Sequence, residues 1–215
     1  MGGVFDFILH LDIYLGELIS AYGTLVYLIL FAFIFCETGL VVTPFLPGDS
    51  LLFAAGAFCA AGALNLAVLL IIAAVAAILG DTVNYWIGKS LRNLLKDENR
   101  LKFIKREYLN RTSDFFERHG GKTIVLARFI PIIRTFTPFV AGAGKMNYRH
   151  FIVFNILGGS LWSSMFILGG LFFGGLPIIK KNFSFVIIAV ILISLLPIVI
   201  SKIVSNKKKK EACEK

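Results

Sequence analysis

The sequence predicts an all-α, polytopic membrane fold with two opposed re-entrant hairpins in an inverted repeat. Three observations lead there. Hydrophobic residues make up 57% of the chain and charged residues 16%, against roughly 45–50% and about 25% in soluble domains. Four stretches, Leu18–Cys36, Ser50–Gly80, Phe151–Ile179 and Asn182–Ser201, carry no charge, and each suits the roughly 20 residues a helix needs to cross about 30 Å of hydrocarbon. Two further apolar segments are interrupted by Pro and Gly, and they share a short motif.

Residues 1–20 mix Phe5, Ile8, Leu9, Leu11, Leu15 and Leu18 with Asp6, His10, Asp12 and Glu17. That pattern predicts an amphipathic helix lying at the interface, and no basic n-region marks a cleaved signal peptide. Residues 21–204 form one membrane domain, opening with an apolar helix over about Tyr22–Glu37. The next segment, 38–62, holds Pro44, Pro47, Gly48, Gly56 and Gly62 around Asp49. Pro removes a backbone donor, and irregular backbone at membrane depth survives only where protein buries it or it lines a cavity. A re-entrant hairpin is therefore expected there. A span from Leu64 to about Gly88 follows, with Asp81 near its end.

Residues 89–122 are the long polar stretch, with Leu91, Leu94, Leu95, Leu101, Ile104 and Tyr108 at helical spacing among Lys and Arg. Basic amphipathic helices on the membrane surface fit this, as does a solvated loop with helical turns. Residues 123–144 are apolar but broken by Arg128, Pro131, Arg134, Pro138, Gly142 and Gly144, predicting a second re-entrant hairpin. Two spans, about Phe151–Leu176 and Phe183–Val204, close the domain, with Gly170 and Gly174 spaced for close helix packing. Residues 205–215 form a basic, disordered tail.

The formal net charge of +9 is unevenly spread: no Lys or Arg precedes Lys89. The basic residues flank or separate apolar spans, which membrane topology explains through the positive-inside rule. No recognition motif points to nucleic acid. A cytoplasmic C-terminus puts Lys89–Lys122, Lys145 and Arg149 in the cytoplasm too. The first hairpin then opens from outside and the second from the cytoplasm, although Lys180 and Lys181 break the trend. Cys36, Cys59 and Cys213 have no metal-ligand spacing. Neither a metal nor a cofactor is expected.

Thr43-Pro44-Phe45-Leu46-Pro47-Gly48 returns as Thr137-Pro138-Phe139-Val140-Ala141-Gly142, one copy in each interrupted segment. Broken helices entering from opposite faces and meeting near the midplane form the substrate site of inverted-repeat transporters. Glu37 and Asp49 bracket the first copy, while Arg128 and Arg134 precede the second. Each charge at the bilayer centre costs on the order of 2.5–3.5 kcal/mol on insertion scales, so pairing between the hairpins is expected. Such pairs either lock the fold or do work, and a buried ion pair is a weak source of stability. Asp81 is a secondary candidate, facing a cavity or snorkelling to the interface. Gly121-Lys122-Thr123 ends like a phosphate-binding loop but lacks its first glycine, which is Phe116 here. His10, His119 and His150 have no nucleophile or metal ligand at a meaningful spacing. No enzyme constellation is present.

At Glu37-Thr38-Gly39, Phe45-Leu46-Pro47-Gly48-Asp49-Ser50, Ala127-Arg128-Phe129-Ile130-Pro131 and Arg134-Thr135-Phe136, the chain resembles the DedA family, part of the wider SNARE-associated or VTT-domain group. The likeness continues through Gly80-Asp81, Asn84-Tyr85, His119-Gly120-Gly121-Lys122-Thr123 and Tyr148-Arg149-His150-Phe151, covering nearly the whole chain. It implies a bacterial inner-membrane protein with two opposed hairpins and transport linked to the proton motive force. Some members are implicated in returning undecaprenyl phosphate to the cytoplasmic leaflet, and eukaryotic relatives scramble phospholipids. The family's functional acidic and arginine positions correspond to Glu37, Asp49, Arg128 and Arg134.

The expected activity is translocation of a phosphate-bearing lipid. Arg128 and Arg134 would receive the head group, since a guanidinium offers a planar fork of donors to phosphate oxygens. Glu37 and Asp49 would hold the arginines in the empty site and exchange protons. The alternatives are a proton-coupled antiporter of small cations or drugs, which the acids suit and the arginines do not, and a non-transporting scaffold.

Overall fold

A helix satisfies its own backbone groups, and in hydrocarbon an unsatisfied one costs several kcal/mol. Where they fall within the described residues, the uncharged runs accordingly fold largely as helices. The computed structural model describes residues 11–40, 48–94, 121–144 and 146–174, and no strand occurs among them. Val4–His10, Thr43–Pro47, residues 95–120, Lys145, Lys180, Lys181, the span Phe183–Val204 and the tail 205–215 lie outside the described residues.

The helices are α1 (Leu11–Tyr22), α2 (Val26–Gly39), α3 (Gly48–Ala60), α4 (Leu66–Leu94), α5 (Lys122–Ala127), α6 (Pro131–Ala143) and α7 (Tyr148–Gly174), with a 3-10 turn at Gly23–Leu25. Three segments are long and apolar enough to cross a membrane: Ile13–Gly39, Leu66–Arg92 and Tyr148–Gly174. The first is broken at Gly23, whose φ of +51° suits glycine. On α4, Ile71, Val75, Leu79 and Val83 are exposed, as are Val153, Leu157, Leu161 and Met165 on α7. Both sets recur every four residues, which is one face of a helix. Such outward apolar stripes belong against lipid, since soluble proteins rarely expose patches of this size.

Contacts fix the direction of each helix relative to α4 and α7. The Asn65 N–H donates to Tyr27 Oη at 2.7 Å, and Gly39 packs on Gly80, so α2 runs alongside α4 in the same sense. Helix α7 runs against α4: Tyr148 lies beside Trp86 with ring centroids 5.5 Å apart, and Asn155 Nδ2 donates to the Ile78 carbonyl at 3.0 Å. Phe53 meets Gly170 and Ala57 meets Gly174, so α3 follows α7. Gly121 packs on Phe154 and Val125 on Gly158, so α5 follows α7 too, while α6 returns along α4 with Phe139 against Gly88.

One pattern occurs twice. A 13-residue helix, a short turn and an Asn cap lead into a long helix, first in α3–α4 and again in α6–α7. Asn65 Oδ1 accepts from the N–H groups of Ala67 and Val68, at 3.0 and 3.2 Å, and Asn147 Oδ1 accepts from Arg149 N–H at 2.9 Å. Both satisfy donors that a helix start leaves unpaired. The α3 exit is closed by Gly62 N–H to Cys59 C=O and Ala63 N–H to Phe58 C=O, both at 3.0 Å. Gly62 there takes φ +76°, the left-handed turn that glycine accepts readily.

Each short helix packs on the other unit's long helix through a crossed glycine pair. Gly56 and Gly170 join α3 to α7, and Gly88 and Gly142 join α4 to α6; a β-carbon at any of the four would run into a facing backbone carbonyl. Small residues let backbones approach closely where apolar burial alone gives no drive in lipid. These crossings correct the register expected from the hexapeptide. Thr137–Gly142 lies inside α6, with Pro138 within the helix, whereas Gly48, the last residue of the other copy, opens α3. The Asn caps, not the hexapeptide, set the matching register.

The larger buried cluster gathers Leu15, Leu30, Ile34, Leu52, Leu69 and Ile167. A smaller one holds Tyr85, Ile124, Ala141 and Phe151. The buried charges are found on the helix ends and mid-helix faces of this scaffold.

Candidate functional site

Glu37 sits in the last turn of α2 and Asp49 in the first turn of α3. An acid at a helix N-terminus suits the dipole, whereas a cation there is disfavoured. Arg134, near the start of α6, is such a cation and needs compensating charge. Its Nη1 donates to Asp49 Oδ1 at 2.7 Å, and its Nη2 pairs with Glu37 Oε1. The guanidinium also stands 4.7 Å over the Trp162 ring. Trp162 Nε1 donates to Asp49 Oδ1 at 3.0 Å, and Gly48 N–H donates to Glu37 Oε1 at 3.1 Å. A β-carbon at residue 48 would overlap the Glu37 carboxylate.

Arg128 follows α5 directly and takes a different set of partners. Its Nη2 pairs with Asp81 Oδ2 and donates to Asn155 Oδ1. Glu37 is 1% exposed, Asp81 4%, Arg128 5% and Arg134 8%, so these are desolvated charges. Removing one partner of such a pair is costly, about 3–5 kcal/mol, because it strands the other. Asn84 Nδ2 ties the two sides together, donating to Thr38 C=O at 3.2 Å and Thr135 C=O at 2.7 Å. Thr38, Asp81, Arg128, Arg134, Thr135 and Trp162 line one small pocket, closed down to leave essentially no free space. Around it Glu37 Oε2, Arg128 Nε and Arg134 Nε are buried with no hydrogen-bond partner among the described residues.

All five residues singled out from sequence, Glu37, Asp49, Asp81, Arg128 and Arg134, thus gather in paired form. The pairing differs from a simple meeting of two acids with two arginines: Glu37 and Asp49 both take Arg134, and Arg128 turns to Asp81. Asp81 lines the pocket. Sequence reasoning missed Asn155 and Trp162, although an Asn within a charge-free span carries a signal, since a buried amide needs partners. Among the described residues no group of three or more His, Cys, Asp or Glu comes together to hold a metal. Lys122 is exposed at the start of α5.

Residues 46–172 match the VTT domain. The chain is 51% identical to the protein DedA of Escherichia coli (strain K12) over 205 residues, covering 94% of this chain and 93% of that one. It is 41% identical over 168 residues to an uncharacterised membrane protein of Mycobacterium leprae, covering 78% and 75%. With the Escherichia coli inner membrane protein YqjA it shares 35% identity over 157 residues, covering 73% and 71%. No solved structure matches the chain. A membrane scaffold of apolar helices, a VTT domain over more than half the sequence and one relative matched nearly end to end lead to one conclusion: the chain belongs to the DedA family.

Proposed function

We propose that this protein translocates a phosphate-bearing lipid, undecaprenyl phosphate or a phospholipid, across a bacterial inner membrane with coupling to the proton motive force. The observation that carries this reading is the ion cluster in which Arg134 is held by Glu37 and Asp49. On this reading α2 with α3, and α5 with α6, are two re-entrant hairpins of an inverted repeat. The first then begins with α2, earlier than residue 38. Their inner ends, at Gly39 and Gly48 for the first and at Arg128–Ile130 for the second, then lie at membrane depth. The opposite senses of α2 along α4 and α5 along α7 support this arrangement.

Depth along α4 supports it too. Leu66 to Lys89 spans about 34 Å at 1.5 Å per residue, close to the roughly 30 Å of hydrocarbon. Lys89 Nζ stands 4.3 Å over the exposed Trp86 ring, with Tyr148 adjacent, an arrangement suited to a membrane–water interface. Asp81 then lies about 12 Å beneath that interface. Placing the Lys89 end and the C-terminus in the cytoplasm opens the α5–α6 hairpin inward and the α2–α3 hairpin outward. The name of the relative YqjA, an inner membrane protein, supports the location.

Three carboxylates, the buried Glu37 and Asp81 and the partly exposed Asp49, face two buried guanidiniums, Arg128 and Arg134. With every group ionised the cluster holds one negative charge too many, which a bound proton neutralises. Incoming phosphate takes guanidinium donors and releases a carboxylate to pick up a proton, which ties head-group entry to proton uptake. The same excess favours the second reading, a proton-coupled antiporter of small cations or drugs. Cation-driven proton flux in vesicles lacking any phosphate lipid would select that one.

The test uses purified protein in zwitterionic vesicles doped with NBD-labelled phosphatidate, with dithionite bleaching the outer leaflet. Arg134→Lys and Glu37→Gln should each slow flipping at least about tenfold, since truncating one partner of a buried charge pair costs about 2–5 kcal/mol. Unchanged flipping in both variants would remove the site.

A further inference from the structure

The two arginines are held by different parts of the molecule. Both charged partners of Arg134 sit beside the tip of the other hairpin, Glu37 at the end of α2 and Asp49 at the start of α3. Both polar partners of Arg128 belong to the long helices, Asp81 on α4 and Asn155 on α7. Asn155 also binds α4 directly, through Nδ2 to the Ile78 carbonyl at 3.0 Å, so the α4–α7 crossing and the Arg128 seat are one network. The side chain of Arg128 is further fitted into a notch in α7. A β-carbon at Gly158 would lie 3.0 Å from Arg128 Cδ and 3.2 Å from Nε, and one at Gly159 would lie 3.4 Å from Nη2.

A parting of α2 and α3 from α5 and α6 would separate Arg134 from both its carboxylates, which sit on α2 and α3. Arg128 would keep its partners, which sit on α4 and α7. We infer that Asp81 and Asn155 are positioning residues: through Arg128 they anchor the α5–α6 hairpin to the long helices, while Arg134 alone exchanges carboxylate for phosphate. This rests on the lipid-translocation reading, and it separates two arginines that sequence alone treats as equivalent.

The decisive comparison is paired neutral replacement in the full-length protein, with phosphatidate binding and flipping measured side by side. Arg128→Met alone strands Asp81 and should abolish flipping. Arg128→Met with Asp81→Leu removes both charges and should restore phosphatidate affinity to within about twofold of wild type, since buried pairs are often replaceable by apolar residues, while flipping stays several-fold slow because the anchor is gone. Arg134→Met with Glu37→Leu should stay inactive and bind at least about tenfold more weakly. A folded Arg128→Met/Asp81→Leu protein that binds as poorly as the Arg134 variant would overturn the inference, because Arg128 would then touch the head group.

Should the paired variant fail to fold, Asn155→Ala decides the same question with every charge retained. It should lower the flipping rate several-fold at saturating lipid and leave the affinity unchanged; an affinity loss of tenfold or more overturns the inference. Wild-type protein that neither binds nor flips phosphatidate sinks the function itself, and that result is distinct from either of these.

Discussion

Trp162 shows how one side chain can serve both signs of a charge pair. Its Nε1 donates to Asp49 at 3.0 Å while its ring lies 4.7 Å beneath the Arg134 guanidinium. Trp162→Phe keeps a π-face but drops the donor, a loss of about 1.5–3 kcal/mol for a hydrogen bond to a charged group. Trp162→Leu also forfeits the cation–π attraction, worth about 2 kcal/mol when desolvated. Flipping should therefore fall in the order wild type, Trp162→Phe, Trp162→Leu, with the last at least about tenfold down. An equal rate in all three would show that the indole only fills space. The five charged members of the cluster were legible in the sequence because charge is rare in so apolar a chain, and its cost at membrane depth demands partners. Who pairs with whom was not legible. Asp81 lies 47 residues before Arg128, and Asn155 lies 27 after it. Such partners are set by how α4, α5 and α7 cross, and no local pattern encodes that.

Among the elements, the long helices were readable from their uncharged runs, because only a helix satisfies that much backbone in hydrocarbon. The hexapeptide pointed to a register that the helices do not follow. A six-residue match invited alignment of Gly48 with Gly142, yet the first packs under the Glu37 carboxylate and the second against the backbone at Tyr85. The real correspondence lies in the Asn caps and the crossed glycines, features too sparse to stand out without coordinates. Those glycines yield a prediction. Gly56→Val and Gly142→Val each push a side chain into a facing carbonyl, and overpacking of this kind costs about 1–3 kcal/mol. Both should lower the thermal unfolding midpoint in detergent by comparable amounts. Gly169→Ala should not, because a β-carbon there meets only the Phe53 ring, at 3.7 Å. A drop at Gly169 matching the other two would mean that α7 tolerates no added side chain anywhere, and the crossings would lose their special role.

For the whole molecule, the charge balance of the cluster bears on the proposed lipid translocation, in which a gradient would move a head group. With three carboxylates against two guanidiniums, the resting cluster holds one proton or carries one uncompensated negative charge, and an uncompensated buried charge is strongly destabilising. In the proposed activity a phosphate binding Arg134 would add negative charge and free Glu37 and Asp49, so protonation from the side where the head group enters would make entry easier. Acidifying that side should accelerate flipping in wild-type vesicles, and collapsing the gradient with a protonophore should remove the acceleration. Glu37→Gln leaves two carboxylates for two guanidiniums, a cluster that is neutral without a proton. Its residual flipping should therefore respond to neither the gradient nor the protonophore, however slow it is. A Glu37→Gln protein that still follows the gradient as wild type does would move the coupling proton to Asp49 or Asp81, and repeating the measurement with Asp49→Asn and Asp81→Asn would identify which.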